Sequence, residues 1–476
     1  MSTVCDVILI FLHVFTCPYI YLIMLNFSSV RHIHFIGIGG VSLSSLARFF
    51  YRKGYAVTGT DRVYSPVIEN LTEEGIRVRV GFSPDAFPLP DVAVYSSAIN
   101  EHDAELSYLR ASDIPCVERF VLLGYVSNLF PFTVAIAGTH GKTTVTAMCA
   151  EVMKNANLPF YAHIGGDCKN IGPFYYSGDK YFLCEACEYR KSMLALFPFV
   201  AVVLNAEYDH PDTYGSKTEI FDAFDTFLQI NTHGLAIVNG DSDYYNIRQK
   251  HLNPITFGFN NKNTYVVNNL AQYENGCFGC LVTYLGLTVC EFKLQVPGIH
   301  NIMNACACVA ICHSLGIDGE SIKNGLEAFC GVKRRFDFCG YFFSAKVYTD
   351  YAHHPTEITA TIKTASLIEK NKLTVIFQPH TYSRTGALKK DFARALDSGS
   401  DRLIIVKEYA AREKPIDNCN AVSLFNECTV KEKYYCENII DAAALLTKIT
   451  TPNDMILIIG AGDINNLSDI LVTKNR

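Results

Sequence analysis

The sequence predicts an α/β protein of three domains, each built on a parallel sheet. Three observations carry that reading. Short apolar runs alternate with helix-compatible stretches along most of the chain, which is the signature of strand–helix–strand units. Two glycine loops, Gly37-Ile-Gly39-Gly40 and Gly138-Thr-His-Gly141, each follow an apolar run and precede a helix-compatible one. A length of 476 residues suits about three domains at roughly 100–200 residues each.

Taken in order, residues 32–36 are an apolar strand, and Val41 to Tyr51 a helix. A second strand, 55–60, ends at Asp61, and apolar runs at 76–80, 91–97 and 114–117 complete a first domain over 31–130. A break falls at Phe130-Pro131. Thr133 to Ala137 then reads as a strand and Val145 to Lys154 as a helix, followed by strands at 181–184 and 199–204 and a turn-rich strand region from 254 to 296. These make a second domain over 131–331. After Gly331, strands at 345–349, 373–377, 402–406 and 455–459 define a third, 332–476. No repeat or low-complexity tract interrupts the pattern.

Residues 7–27 form an apolar run long enough to span a bilayer. No Lys or Arg precedes it, Pro18 and His13 interrupt it, and the first strand follows with almost no spacer. Residues 1–30 are therefore read as an apolar extension or an artefact of start assignment, with Met24 an alternative start. Membrane contact, if any, is expected through residues 7–27 alone.

Composition excludes several classes. Hydrophobic residues make 49% and charged residues 18%, so wholesale disorder is excluded. A net charge of -6 argues against a general nucleic-acid binder. The 18 cysteines are scattered through apolar runs and read as reduced, buried thiols of a cytoplasmic protein, not a disulfide framework. Cys184-x-x-Cys187 and Cys277-x-x-Cys280 lie about 90 residues apart, and the first is interleaved with carboxylates, so a zinc reading is set aside. No obligatory protein partner is implied.

Gly138-Thr139-His140-Gly141-Lys142-Thr143-Thr144, between a strand and a helix, has the context of a nucleotide phosphate loop, two residues shorter than the common spacing. Glycines let backbone N–H groups approach phosphate oxygens, and the helix start adds positive potential. Lys142 would reach the β- and γ-phosphates of ATP, and Thr143 would ligate Mg²⁺. The first loop has Ser42 where GxGxxG places its third glycine. With Asp61 about 20 residues on, it suits either a dinucleotide or a nucleotide-sugar diphosphate. Glu185 and Glu188 follow one strand, and Asn205, Glu207, Asp209 and His210 the next, where acidic groups can hold Mg²⁺. The expected architecture is thus a Rossmann-like N-terminal domain, a central P-loop ATPase-like parallel sheet and a C-terminal Rossmann-like domain.

HFIGIGG at 34–40, GTHGKTT at 138–144, EACE at 185–188, DH at 209–210, HNxxN at 300–304, RRF at 334–336, DYAHHPTE at 350–357 and FQPHTYSRT at 377–385 occur in one order. That order resembles the Mur ligases, and within them the branch that adds L-alanine to UDP-N-acetylmuramate in peptidoglycan precursor synthesis. The resemblance spans residues 31 to about 463. It implies an ATP-dependent carbon–nitrogen ligase working through an acyl phosphate. It further implies that Lys142 and Thr143 serve phosphates and Mg²⁺, and that Glu185 and His210 hold metal with Asn205 and Glu207 near. His300, Asn301 and Asn304 would flank the adenosine, and Arg335 would neutralise the transferring phosphoryl group, with Arg334 structural. Tyr351, His353, His380 and Arg384 would form the amino-acid end, Arg384 pairing with the alanine carboxylate. Gly39, Gly40, Ser42, Asp61, Ser96, Ser97 and Arg119 would hold the UDP-sugar.

Departures from the family pattern are Ser42 and Ser45 in the first loop, Phe224 and Asp225 where other branches carry a modified lysine, and Thr381 where some members place arginine. Three rival readings differ in their tests. A murein-tripeptide recycling ligase shares the phosphate loop and AHHP, but should not keep FQPHTYSRT. An NAD-dependent oxidoreductase leaves GTHGKTT unexplained. A membrane-tethered nucleotide-binding module predicts ATP binding without turnover.

Overall fold

The computed structural model describes residues 27, 29–230, 234–248, 253–411 and 413–473. Most of the apolar run at 7–27 therefore lies outside the described residues. Its last residue does not. Phe27 is buried and stacks on Tyr125 with ring centroids 4.1 Å apart, and Val30 is buried beside it. The packed chain thus begins before the first strand. Among the described residues no helix is long and apolar enough to cross a membrane.

Three sheets stand in chain order. The first contains β1 (His32–Ile36), β2 (Ala56–Asp61), β3 (Arg77–Val80), β4 (Val92–Tyr95) and β5 (Cys116–Glu118), in the order β3-β2-β1-β4-β5. All its pairings are parallel. Strand order reverses beside β1, so the glycine loop after β1 opens at a switch point.

The central sheet contains β6 (Phe132–Ala137), β7 (Phe160–Cys168), β8 (Gly172–Tyr176), β9 (Tyr181–Ala186), β10 (Val200–Val203), β11 (Leu235–Asn239), β12 (Ile255–Gly258), β13 (Tyr265–Gln272), β14 (Cys277–Tyr284) and β15 (Leu287–Pro297). Its order is β15-β14-β13-β12-β11-β10-β6-β9-β7-β8. The interior is parallel as expected, but both edges are antiparallel: β13-β14-β15 meander at one, β7-β8 pair at the other. β6, at its heart, is buried from Thr133 to Ala137, the continuous apolar run of a strand covered on both faces.

The third sheet contains β16 (Asp337–Phe342), β17 (Ala345–Asp350), β18 (Leu373–Phe377), β19 (Arg402–Val406), β20 (Glu432–Cys436) and β21 (Met455–Ile459), in the order β16-β17-β21-β18-β19-β20. Only β16 runs antiparallel.

The first two sheets share a core. Helix Val41–Arg52 buries Leu43, Leu46, Ala47, Phe49 and Phe50 at helical spacing. Phe49 reaches past its own sheet to stack on Tyr161 of β7, centroids 4.7 Å apart, and Tyr161 stacks on Phe182 of β9. The described cysteines are free thiols, mostly buried.

Candidate active site

Loops at the carboxyl ends of parallel strands converge between the central and third sheets, where α/β folds bind ligands. The loop after β6 is the phosphate loop. Helix Lys142–Asn155 starts directly from Gly141, whose φ is 87°, and no side chain caps it. Its first backbone N–H groups are therefore available to an anion. A Cβ on Gly141 would stand 2.7 Å from Asn304 Oδ1, so glycine is required by both backbone and space. Asn205, after β10, braces the loop. Its Oδ1 accepts from His140 N at 2.8 Å, and its Nδ2 donates to His140 O at 3.0 Å. Glu207 N donates to Thr139 Oγ1 at 2.9 Å. Both residues thus support the loop through these contacts.

Lys142 Nζ donates to Gly138 O at 2.5 Å and to Glu188 Oε2 at 2.8 Å. Burial disfavours its charge, but the Glu188 carboxylate outweighs that and raises its pKa. Glu188 responds in kind: burial opposes ionisation, while Lys142 and His210 hold it below the usual range. His210 Nε2 lies 3.6 Å from Glu188 Oε1. Glu185 and His210, expected to hold metal together, both line the larger cavity, and the acid nearest His210 is Glu188. Glu185 ends β9 and accepts from Gly165 N at 2.6 Å, whereas Glu188, two residues past the strand, turns into the space between Lys142 and His210.

Two cavities meet here. One, of about 230 Å³, is lined by His140, Thr144, Phe257, His300, Asn301 and Asn304 among others. Asn301 Nδ2 donates to Pro297 O and Asn304 Nδ2 to Asn301 Oδ1, fixing the helix start that faces the phosphate loop. Burial lowers the His300 pKa to about 4, so this imidazole is neutral. The other cavity, of about 890 Å³, is lined by Lys142, Thr143, Glu185, Glu188, His210, Tyr351 and His353. Gly141 and Arg335 line both. Arg335 stacks over Tyr351, and its Nη1 lies 3.7 Å from Glu357 Oε1. Arg334 donates to Gly460 O and Gly462 O, a structural role.

From the third domain, His353 N donates to Glu357 Oε2 at 3.0 Å, and its Nδ1 meets Tyr351 O at 3.0 Å. Burial lowers its pKa to about 3, and that of His380 to about 4. Arg384 is buried, with Nε 2.9 Å from Asp209 Oδ1, Nη2 3.2 Å from Asp209 Oδ2, and Nη1 3.2 Å from His380 Nδ1. Burial opposes ionisation of Asp209, but the guanidinium holds its carboxyl well below the usual range. The expectation of an Arg384 free for a ligand carboxylate meets a fork already committed to Asp209. Positive φ at His210 (56°), Arg334 (62°), Phe336 (46°) and Thr381 (66°) concentrates backbone strain at these loops.

The first-domain candidates stand apart. Gly39, Gly40, Asp61, Ser96, Ser97 and Arg119 lie at the carboxyl ends of β1, β2, β4 and β5 and line neither cavity. Asp61 Oδ2 accepts from Gly39 N at 2.9 Å, and Ser96 Oγ accepts from Ala98 N. Arg119 Nη1 donates to Ser42 Oγ at 3.0 Å. A buried relay continues through His163 Nε2 at 2.7 Å and Tyr161 OH at 3.1 Å to Ser45 Oγ at 3.1 Å. Burial, then the Arg119 charge, lowers the His163 pKa to about 3, so a neutral ring fits the relay. The departures Ser42 and Ser45 thus have a partner in the central domain.

Sequence reasoning missed the placement of Glu188, Asp209, Glu357 and His163. The first three lie inside motifs already singled out; His163 carries no local signal. Phe224 is buried, and Asp225 accepts from Tyr244 OH.

Three family models match: the Mur ligase family, catalytic domain over 32–130, the Mur ligase middle domain over 136–312, and the Mur ligase, glutamate ligase domain over 334–462. The UDP-N-acetylmuramate--L-alanine ligase of Acetivibrio thermocellus is 36% identical over 95% of this chain and 98% of its own length. That of Clostridium tetani is 37% identical over 93% and 98%. Among solved structures, the UDP-N-acetylmuramate-alanine ligase of Thermotoga maritima superposes with a TM-score of 0.79 at 28% identity, covering 93% of this chain and 99% of that one. A murein peptide ligase from Psychrobacter arcticus shares the fold, with a TM-score of 0.72 at 22% identity over 93% and 98%.

Proposed function

We propose a function from one premise: this chain belongs to the Mur ligase family. It is an ATP-dependent ligase that joins L-alanine to UDP-N-acetylmuramate in peptidoglycan synthesis. The observation that carries this is full-length similarity, at 36% and 37% identity, to relatives bearing that activity's name. The first domain takes the UDP-sugar at Gly39, Gly40, Ser42, Asp61, Ser96, Ser97 and Arg119. The central domain takes ATP, and the third takes the amino acid.

The chemistry is positioning and charge neutralisation. The lactyl carboxylate oxygen attacks the γ-phosphorus, forming a P–O bond as the bond to ADP breaks. The alanine amine then attacks the acyl carbon, an amide forms, phosphate leaves and the amine loses a proton. In this reading the phosphate loop and Lys142 hold the β- and γ-phosphates. His300, Asn301 and Asn304 border the adenosine. Arg335, lining both cavities, meets the charge on the phosphoryl group in flight. His353, with Nδ1–H on Tyr351 O, borders the larger cavity at the amino-acid end. Arg384 holds Asp209 and offers Nη1, beside His380, to the alanine carboxylate.

Thr143 and Glu188 place oxygen donors beside the phosphate loop, which fits a hard cation. Mg²⁺ there, with His210 as a further ligand, would neutralise phosphate charge. ATP and nucleotide sugars are cytoplasmic metabolites, and we place the enzyme there.

The test is phosphate release with ATP, Mg²⁺ and UDP-N-acetylmuramate, adding L-alanine, D-glutamate or L-Ala-γ-D-Glu-diaminopimelate separately. Release with L-alanine alone is expected. Release only with the tripeptide would move the assignment to the recycling ligase, which joins that peptide to UDP-N-acetylmuramate.

A further inference from the structure

The geometry points to a second divalent-cation site, built by His140, Glu207 and His354 across the seam between the central and third domains, and suited to zinc. His140 and Glu207 come from loops after β6 and β10, and His354 is the residue before helix Pro355–Ser366. One ligand atom from each lies within 4.8 Å of the others. Glu207 Oε2 stands 3.6 Å from His140 Nε2 and 3.7 Å from His354 Nδ1. Donor atoms of a tetrahedral zinc site, at bonds of about 2.0–2.1 Å, lie about 3.3 Å apart. A contraction of a few tenths of an ångström along both edges to Glu207 suffices, and the two imidazole nitrogens start within 4.8 Å of each other.

The far ring nitrogens are held as metal-bound imidazoles require. His140 Nδ1 faces Glu357 Oε1 at 3.2 Å, and His354 Nε2 faces Tyr208 O at 3.3 Å. When each ring carries a single proton, held there, the lone pairs lie on His140 Nε2 and His354 Nδ1, both toward Glu207, so a bound cation takes the place of the second proton on His140. His140 Nε2 is shielded from solvent and has no hydrogen-bond partner among the described residues. His354 Nδ1 takes only a long hydrogen bond from Thr356 N, 3.4 Å. Glu207 is oriented in turn, accepting from Thr356 Oγ1 at 2.5 Å. Two imidazoles and one carboxylate select a borderline cation over Mg²⁺, with one coordination position left open.

The set shares no residue with Thr143, Glu188 and His210, and it does not depend on the ligase reading. It has a consequence for motion. An ion bound to ligands from both domains stabilises their apposed arrangement over any separated one.

The test uses the full-length chain, stripped with chelator and dialysed against Zn²⁺ in excess Mg²⁺, with Co²⁺ as the spectroscopic probe. The expected result is one retained Zn²⁺ per chain and a visible Co²⁺ spectrum without thiolate charge-transfer bands. Glu207→Gln and His354→Ala each weaken Zn²⁺ binding at least about ten-fold. Cys312→Ser, in the buried cluster of Cys149, Cys308 and Cys312, leaves it unchanged. No retained Zn²⁺, thiolate bands in the wild-type Co²⁺ spectrum, or undiminished binding in both Glu207→Gln and His354→Ala would each overturn the site. The wild-type spectrum needs no variant to fold, and no step needs turnover.

Discussion

Lys142 lies folded back on Gly138 and Glu188, a buried ammonium satisfied before any phosphate arrives. Removing it leaves Glu188, with a 2% exposed side chain, as a buried carboxylate paired only with His210. Lys142→Ala should therefore lower kcat for phosphate release by at least about 10³-fold, the scale of losing a preorganised charge at the reacting group. Unchanged turnover would remove Lys142 from the phosphate site. The neighbouring carboxylates give a sharper contrast. Glu188→Gln should cost about 10²-fold in kcat and raise the Mg²⁺ concentration for half-maximal rate. Glu185→Gln should cost less, because its carboxylate serves the Gly165 N–H. The reverse order in a Mg²⁺ titration would make Glu185 the ligand. The sequence placed both acids after one strand but could not tell which turns inward. The choice depends on the chain's path beyond Ala186, where β9 ends and alternation of faces no longer applies.

At the scale of elements, what was legible is what repeats. Strands buried on both faces, such as β6, β10, β18 and β21, are uninterrupted apolar runs. Edge strands were legible only in part: the runs at 76–80 and 114–117 mark β3 and β5, but β8 and its neighbour β7 went unread. β7 and β8 carry Gly165, Gly166 and Gly172, and β8 is half-buried throughout, so neither period nor apolarity marks them. β16 and β20 alternate weakly at the edges of the third sheet. Missing β7 hid His163 and Tyr161, hence the relay that explains Ser42 and Ser45. Ser42→Ala should strand both Arg119 and His163, raising the KM for the UDP-sugar several-fold with little change in kcat. A kcat effect without a KM effect would place the relay elsewhere in the cycle. The phosphate loop is legible because its constraint is local: Gly141→Ala meets positive φ and Asn304 together.

For the whole molecule, local patterning carries no signal of which loops from different domains touch, because those contacts pair residues more than a hundred positions apart. Two clasps join the central and third domains: His140, paired with Glu207 of its own domain, meets Glu357, and Asp209 meets Arg384. The first is pH-dependent with a definite sign. Burial opposes charge on His140, but Glu357 and Glu207 outweigh it and raise its pKa from 6.5 to about 9. Arg335 is a cationic neighbour of the same group of acids, while burial and the His140 charge lower the His354 pKa. Between those values the folded state holds a proton that the unfolded chain releases. The contribution is therefore complete below pH 6.5 and fades as pH rises through 9. Glu207, lowered from 4.5 to about 2 against the cost of burial, has the opposite sign: its share is present above pH 4.5 and fades as pH falls toward 2. Metal-free protein should lose on the order of 1–3 kcal/mol of stability between pH 6.5 and 9.5, and His140→Gln should lose less over that range. Equal losses in both would deny the clasp.

The second clasp argues for a coupled kinetic outcome. Asp209 is 3% exposed and Arg384 6%, so removing the guanidinium leaves a buried carboxylate held by the His210 N–H at 2.7 Å without its cationic partner, a cost of up to about 3–5 kcal/mol if it stays buried. Separation of the domains relieves that cost by hydrating Asp209. Arg384→Ala should therefore shift the population toward separated domains, seen as a larger radius of gyration by small-angle scattering. Alanine must then reassemble the site from a minority of competent molecules, which raises its KM by the inverse of that fraction. A rise of ten-fold or more in the KM for alanine, with a smaller fall in kcat, is the expected result. Addition of substrates should restore the compact scattering profile. A KM for alanine that does not move, in a variant whose scattering matches wild type, would separate Arg384 from both the amino acid and the closure.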